Sequence, residues 1–511
     1  MSYIMFGAID VGSSDVSLTI YEMSEKTGVK KIDYISHMIE LGVDSYQLGT
    51  IRYELVEELC EVLQEFKRKL EEYKVEHYRA YATSAIREAN NGEIILDQIR
   101  TKTGIVVKIL TNSEIRLLTY KAIINQKVDF NKTLQKNTAM LDIGAGSVQI
   151  SLFDKQHIQL TQNLRIGSLR LREMFAHIKG QDKVIGKLME EYVGNEIDTF
   201  RNMYMKDKEF KNIIAVGDEI VGIVKCAPEL HITNYIDQEQ IVYICNKLRK
   251  YTAEELYMQY GVPREMASLL LYSANLYRMF LQKAKAESIW IPYVTTCDGI
   301  AIGYAEKHCK YKLPHDFEED ILSEARSIAK RYKTNRIHTE RVEEFAMAIF
   351  DATKKIHGLG KREKLLLHLA TILHSCGKFI NINNSSENSY HIIMSTEIIG
   401  LSHMERETVA NIVYYNKEEL PSYQQMGRWL PVQTYRIIAK LSAILRIANA
   451  LDRSHQQKIQ QFTITIKEHE LLIVADTPMD LSLEMGLFTE KSDYFKKVYG
   501  IRPVLRQKRR V

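Results

Sequence analysis

Cysteine and proline are both scarce in this chain. The six cysteines, Cys60, Cys226, Cys245, Cys297, Cys309 and Cys376, lie far apart with no Cys-x-x-Cys pair, which excludes a disulfide framework and a zinc ribbon and fits a reducing compartment. Eight prolines in 511 residues leave no material for long proline-rich linkers. No run of about 18 uncharged apolar residues occurs, so no membrane span is expected. The start, MSYIMFGAIDVGSS, lacks the basic flank and apolar core of a secretory signal, and a cytoplasmic location is the expectation. Charge of one sign is also missing. A net +4 is too small at this length to argue for nucleic acid, and the basic tail VLRQKRRV reads as a solvated end. What remains, 45% apolar and 26% charged residues, is the composition of a globular protein of two to four domains.

The segments IMFGAID and VSLTIYEM read as strands; in the second, Val16, Leu18 and Ile20 share one face while Ser17 and Thr19 share the other. RYELVEELCEVLQEFKRKLEEY has the three- and four-residue apolar spacing of a helix. HYRAYATSAIREA reads as a strand feeding a helix, and GIVVKIL as a strand before the helix NSEIRLLTYKAI. After the polar connector VDFNKTLQKN the pattern restarts with TAMLDIGAGSVQISLF. Alternating strands and helices to about residue 300 predict an α/β architecture. Beyond KYKLPHDFEED the pattern becomes nearly continuous helix, broken by the alternating hairpin FTITIKEHELLIVAD. The expected organisation is therefore an α/β half over 1–128, a second over 129–312, and a helical domain with a small β appendage over 316–511.

LDIGAGSVQISLF decides between two kinds of glycine turn. A dinucleotide fingerprint needs a helix after the glycines. Here Val148, Ile150 and Leu152 alternate with Gln149 and Ser151, so a strand follows and the unit is a hairpin. AIDVGSSDVSLTI has the same form, which suggests a duplicated α/β unit whose hairpins face each other across a cleft. Small residues let successive amides of Gly12, Ser13 and Ser14, and of Gly144, Ala145, Gly146 and Ser147, approach phosphate oxygens. Asp10 and Asp142 precede the two turns and are the candidate ligands for Mg²⁺ or Mn²⁺.

This arrangement resembles the actin, sugar kinase and Hsp70 superfamily. Within it the chain is similar to the exopolyphosphatase and guanosine pentaphosphate phosphohydrolase (Ppx/GppA) family, through YATSAIREANNG, RIGSLRLREMF, LSAILRIANALDRS and RYKTNRIHTERV in collinear order. The resemblance implies duplicated actin-like (ribonuclease H-like) domains followed by a helical HD-like domain, hydrolysis of a terminal phosphoanhydride, and a homodimer. It implies that Glu114, in ILTNSEIRLL, activates the attacking water. Arg87 would either clamp a phosphate or pair with a neighbouring acid; for Arg165 and Arg170 surface solvation is the expectation.

The pattern also departs from the family. Ser14 stands where the first turn usually has Asn, and Gln149 replaces a glutamate. The third glycine motif keeps Gly217 but is followed by Asp218 and Glu219, which would repel a polyanion if they faced the cleft. In the helical domain His374 is followed by Ser375, and Asn388 and Asn416 occupy positions where related chains place histidines. His338 and His374 are then too few to hold a metal, and packed histidines are expected. Three functions stay open: an exopolyphosphatase, a guanosine pentaphosphate 5′-phosphohydrolase, and a non-catalytic sensor of polyphosphate or guanosine tetra- or pentaphosphate. No membrane or specific nucleic-acid partner is expected.

Overall fold

The computed structural model describes residues 3–26, 28–126, 134, 137–154, 157–178, 181–205, 209–427 and 430–508. Most of the expected connector at 128–137 lies outside the described residues. The chain divides into two compact units, Met1–Asp316 and Phe317–Val511.

The first unit contains two sheets built to one plan. The first has the strands β1 (Ile4–Val11), β2 (Asp15–Ser24), β3 (Gly28–Met38), β4 (His77–Ala82) and β5 (Val107–Ile109), in the order β3-β2-β1-β4-β5. The second has β6 (Thr138–Ile143), β7 (Val148–Asp154), β8 (His157–Leu164), β9 (Asn212–Val216), β10 (Tyr235–Asp237) and β11 (Ser288–Trp290), in the order β10-β11-β9-β6-β7-β8. In each, an antiparallel meander is continued by parallel strands: β1 pairs antiparallel with β2 and parallel with β4, and β6 pairs antiparallel with β7 and parallel with β9. The duplication read from the hairpins thus extends to whole sheets.

The helices of this unit are α1 (Leu41–Leu48), α2 (Tyr53–Glu72), α3 (Ser84–Glu88), α4 (Gly92–Thr103), α5 (Asn112–Asn125), α6 (Ser168–Phe175), α7 (Gln181–Phe200), α8 (Asp218–Lys225), α9 (Gln238–Leu248), α10 (Ala253–Tyr260), α11 (Arg264–Ala284) and α12 (Thr296–His308). Helix α2 buries Val56, Leu59, Leu63, Phe66 and Leu70, the stripe its spacing dictates. Two features differ from the sequence reading. Strand β3, polar and largely exposed, has too little apolar alternation to stand out. Helix α12, expected in the second half, packs on the first sheet: Cys297, Ile300 and Ala301 join Phe6, Ala8, Tyr21 and Met23 in one cluster. That cover explains why the polar face of β2 is buried too, with Thr19 fully enclosed and the Ser17 hydroxyl 3.8 Å from Cys297 Sγ.

The second unit is helical: α13 (Phe317–Arg331), α14 (Arg336–Ala352), α15 (Lys361–Leu373), α16 (Ser385–Ser395), α17 (His403–Tyr414), α18 (Val432–Ala450) and α19 (Ser482–Tyr499), with short turns between. The predicted hairpin is β12 (Gln461–Lys467) and β13 (Glu470–Asp476), and it has a third strand, β14 (Arg502–Lys508), parallel to β13. The tail read as a solvated end therefore pairs in a sheet as far as Lys508. Its buried Pro503 and Leu505 alternate with Arg502, Val504 and Arg506, a pattern the surrounding charge obscured. All six cysteines are unpaired thiols, and only Cys309 is not buried.

Candidate active site

The two glycine turns are built alike. Gly12 N–H donates to the Asp15 carbonyl at 2.9 Å, and Gly144 N–H donates to the Ser147 carbonyl at 3.0 Å. These bonds close each hairpin, so the amides of Gly12 and Gly144 are not available to a ligand. Among the described residues the amides of Ser13, Ser14, Ala145 and Gly146 donate to no protein acceptor, and they supply the two anion-binding jaws. Both turns border one cavity of about 150 Å³, and so do Asp10, Asp142, Arg87 and Gln149. Of the residues expected at the phosphate and metal positions, every one lines it.

Three hydroxyls close one side. Ser13 Oγ, Tyr46 Oη and Ser84 Oγ lie 2.8 to 2.9 Å from one another. Gly146 is packed so tightly against this group that a Cβ there would overlap Tyr46 Oη and come within 2.9 Å of Ser84 Oγ. Arg170, expected on the surface, instead stacks 4.0 Å from the Tyr46 ring centroid and donates to the Gly146 carbonyl at 3.0 Å and to Glu88 at 2.9 Å. It fastens the second hairpin to α1 and α3 of the first half. Arg165 is exposed, as expected.

The cavity floor is acidic to a degree that sequence reading missed. Asp15, Asp218 and Glu219 join Asp10 and Asp142 in its lining, so the two acids after Gly217 do face the cleft. Burial first, and the neighbouring carboxylates second, push these groups up: Asp142 to about 6 despite the opposing Arg116, Asp10 and Glu219 to about 7, Asp15 to about 8. Burial likewise raises Asp218. Glu219 is held by the hydroxyls of Ser168, at 2.6 Å, and Ser273. Gly217 caps α8 at φ +105°, where a side chain would be strained, and brings this pair to the wall.

Such a cluster fits a hard divalent cation. The Asp10 Oδ1 and Gln149 Oε1 atoms are buried with no hydrogen-bond partner, a state that leaves both oxygens available to an ion or its water. Gln149 lies directly across the hairpin from Asp142. Among the described residues no three Asp, Glu, His or Cys side chains are grouped so as to hold a metal by themselves; Mg²⁺ is commonly held by one or two carboxylates with water and substrate oxygens completing its shell.

Glu114 is the exception among the expected site residues. It is not in the cavity lining, although Asn112 and Ile115 on either side of it are. It is the third residue of α5, and its Oε2 accepts from the Thr111 amide and hydroxyl, both at 2.9 Å, in a capping box. Its Oε1 accepts no hydrogen bond among the described residues. Arg87 anchors the same helix start through Asn112 Oδ1 and the Leu110 carbonyl, each at 2.6 Å. Beyond Asp218 a second cavity of about 290 Å³ opens, lined by Lys31, Tyr34, Val262, Met266 and Tyr293.

In the helical unit His338 and His374 are buried and bonded, His338 Nδ1 to Asp452 at 2.8 Å and His374 Nδ1 to the Thr371 carbonyl at 2.7 Å. They are packed histidines, as expected. His455, which the sequence did not mark, stacks on His338 at 3.6 Å.

Comparison with known proteins gives the following. A family model described as the Ppx/GppA phosphatase family matches residues 22–267, and one described as Ppx/GppA phosphatase, domain III, matches residues 323–491. A guanosine-5′-triphosphate,3′-diphosphate pyrophosphatase from Photobacterium profundum is 20% identical over 485 residues, 92% of this chain and 91% of that protein. A bifunctional 3-dehydroquinate synthase/phosphatase from Fusobacterium nucleatum is 25% identical over 174 residues, 33% of this chain and 26% of that protein. The crystal structure of an exopolyphosphatase from Cytophaga hutchinsonii has a TM-score of 0.51 at 20% identity, over 59% of this chain and 97% of its own; that likeness shows a shared fold.

Proposed function

The chain belongs to the Ppx/GppA phosphatase family, and from that premise we propose that it hydrolyses the terminal phosphoanhydride of inorganic polyphosphate, releasing orthophosphate. The observation that carries this reading is the convergence of two glycine turns and a set of buried carboxylates on one small cavity. Its lining is mostly hydroxyl, amide and carboxyl, with the Arg87 guanidinium and the aliphatic Ile115 and Ile143, and among the described residues no aromatic ring lines it to stack on a base. A space of about 150 Å³ suits the end of a phosphate chain.

In this reading the free amides of Ser13, Ser14, Ala145 and Gly146 hold the terminal phosphoryl oxygens, and Arg87 adds positive charge at the helix start. Asp10 and Asp142 would hold Mg²⁺ or Mn²⁺, which supplies Lewis-acid neutralisation of the phosphate oxygens when bound. Glu114 takes the proton of the attacking water through its free Oε1. Its capping box holds the other oxygen, Oε2, next to Asn112 and Ile115, which line the cavity. Without the cation the acid floor would repel a polyanion, so binding depends on both partners together.

A second reading is favoured by the adjoining 290 Å³ cavity, where Tyr34, Met266 and Tyr293 could receive a guanine: the substrate is then guanosine pentaphosphate. Orthophosphate release from polyphosphate and from guanosine pentaphosphate, at matched concentration of cleavable ends, separates the two. Polyphosphate turnover exceeding pentaphosphate turnover, and unaltered by Val262→Trp, supports the first reading. Faster pentaphosphate turnover that Val262→Trp abolishes establishes the second.

A further inference from the structure

The helical unit contains a pocket of about 290 Å³ framed by the residues after α17, the end of α18 and one face of α19. Its chemistry is the reverse of the acidic cleft. Lys417, Arg446, Arg453 and Lys491 line it, against one acid, Glu490, and Glu490 is already paired with Lys491 at 3.0 Å.

Asn416 lies in the same wall. It is 3% exposed, and neither its Oδ1 nor its Nδ2 has a hydrogen-bond partner. A native buried amide with both atoms idle is rare, because each was stripped of water on folding. The cations around it are equally under-used. Arg453 makes no hydrogen bond or ion pair among the described residues, and Lys417 reaches only the Ser385 hydroxyl, at 2.7 Å. Arg446 is fixed as a wall by the Tyr415 carbonyl at 2.7 Å, by the Glu418 carbonyl, and by the Tyr494 ring at 4.2 Å. Burial, with Arg453 nearby, pushes the Lys378 and Lys417 amines down. The Glu418 and Glu419 side chains offset part of that field. Lys417 and Arg453 both reach solvent, and positive charge gathered beside few carboxylates favours an anion that comes to share it.

We propose that this pocket binds a phosphate-bearing anion of about the size of a diphosphate, gripped by Lys417 and Arg453 with Asn416 donating from the wall. Arg453 supplies the planar fork that suits two phosphate oxygens, and Asn416 Nδ2 supplies a neutral donor with no other partner. The same chemistry could come from an inorganic oligophosphate or from the phosphates of a nucleotide. The site is independent of the cleft and of its catalytic reading.

Calorimetric titration of the full chain with methylenebisphosphonate, a diphosphate that cannot be hydrolysed, tests it. Chelator is present, so that the acid-lined cleft repels the probe. One binding event per chain is expected, weakening as salt rises. Arg453→Gln and Lys417→Gln each weaken it about 10-fold or more, while Glu490→Gln tightens it a few-fold. Thermal unfolding by circular dichroism checks that each variant is folded, and the exposed Glu490 substitution keeps the test open if the others are not. Guanosine diphosphate binding more tightly than the bisphosphonate, with the same dependence on the variants, identifies a nucleotide as the source; equal or weaker binding identifies an inorganic anion. No binding to the folded wild type, or an affinity that none of the three substitutions moves, overturns the proposal.

Discussion

Gln149 occupies the position with the largest chemical leverage on the cleft. It faces Asp142 across the hairpin, its oxygen is buried and unpartnered, and it carries no charge. Gln149→Glu adds a charge among acids already pushed up by burial. The expected outcome is a lower melting temperature in chelator and orthophosphate release that saturates at lower Mg²⁺, read by titrating the metal against rate. Gly146 has the opposite role, since its value lies in having no side chain. Gly146→Ala puts a methyl into Tyr46 Oη and against Ser84 Oγ, and overpacking of this kind costs about 1–3 kcal/mol. Urea unfolding should show that loss, and adding Tyr46→Phe should recover part of it by removing the colliding oxygen.

At the scale of elements, the hairpins and α5 carry the site. The Thr111 hydroxyl caps α5 by accepting from the Glu114 amide, and it also donates to Glu114 Oε2 beside the Thr111 amide. Thr111→Ala should therefore lower stability by about 0.5–2 kcal/mol and lower turnover more than that loss implies, because Glu114 is released to other rotamers; unfolding and kcat measured together separate the effects. Much of this was legible beforehand. The hairpins announce themselves because a strand follows the glycines, and because the same pattern occurs twice. Asp15 was not legible, since an acid one residue past a turn looks like any solvated turn residue. Asp218 and Glu219 were visible only as a conditional objection, and it took the close approach of Gly217 to Asp142 at the end of β6 to show them facing inward. Arg170 was misjudged because its partners, Tyr46 and Glu88, are remote in sequence. The engagement of Glu114 in a capping box follows from Thr111-x-x-Glu114, a spacing that by itself says helix start and nothing about catalysis.

At the scale of the whole molecule, the two units should respond to pH in opposite directions. In the first unit the cleft carboxyls are raised from the ordinary 3.8 to 4.5 up to about 6 to 8. Between those limits the folded state holds more protons than the unfolded state, so stability from these groups is full below pH 4 and is lost as pH rises through 6 to 8. Mg²⁺ should restore it, and more strongly at pH 8 than at pH 5. In the second unit burial, with neighbouring cations, lowers His374 to about 3 and His455 to about 4. Their contribution is present above the ordinary 6.5 and is lost as pH falls toward those values. Hydrogen exchange read separately for residues before and after 316 should show the first unit loosening with rising pH in chelator and the second loosening with falling pH. Among the described residues no helix is long and apolar enough to cross a membrane.

The most direct test of the cleft as a hydrolytic site is the steady-state rate of orthophosphate release from polyphosphate, with Mg²⁺ at pH 8, by the wild-type chain and by Glu114→Gln, both verified as folded. A clear wild-type rate, reduced about 100-fold or more by loss of the carboxylate, is the predicted result. A folded but inert wild type, or a Glu114→Gln chain that turns over undiminished, would contradict it.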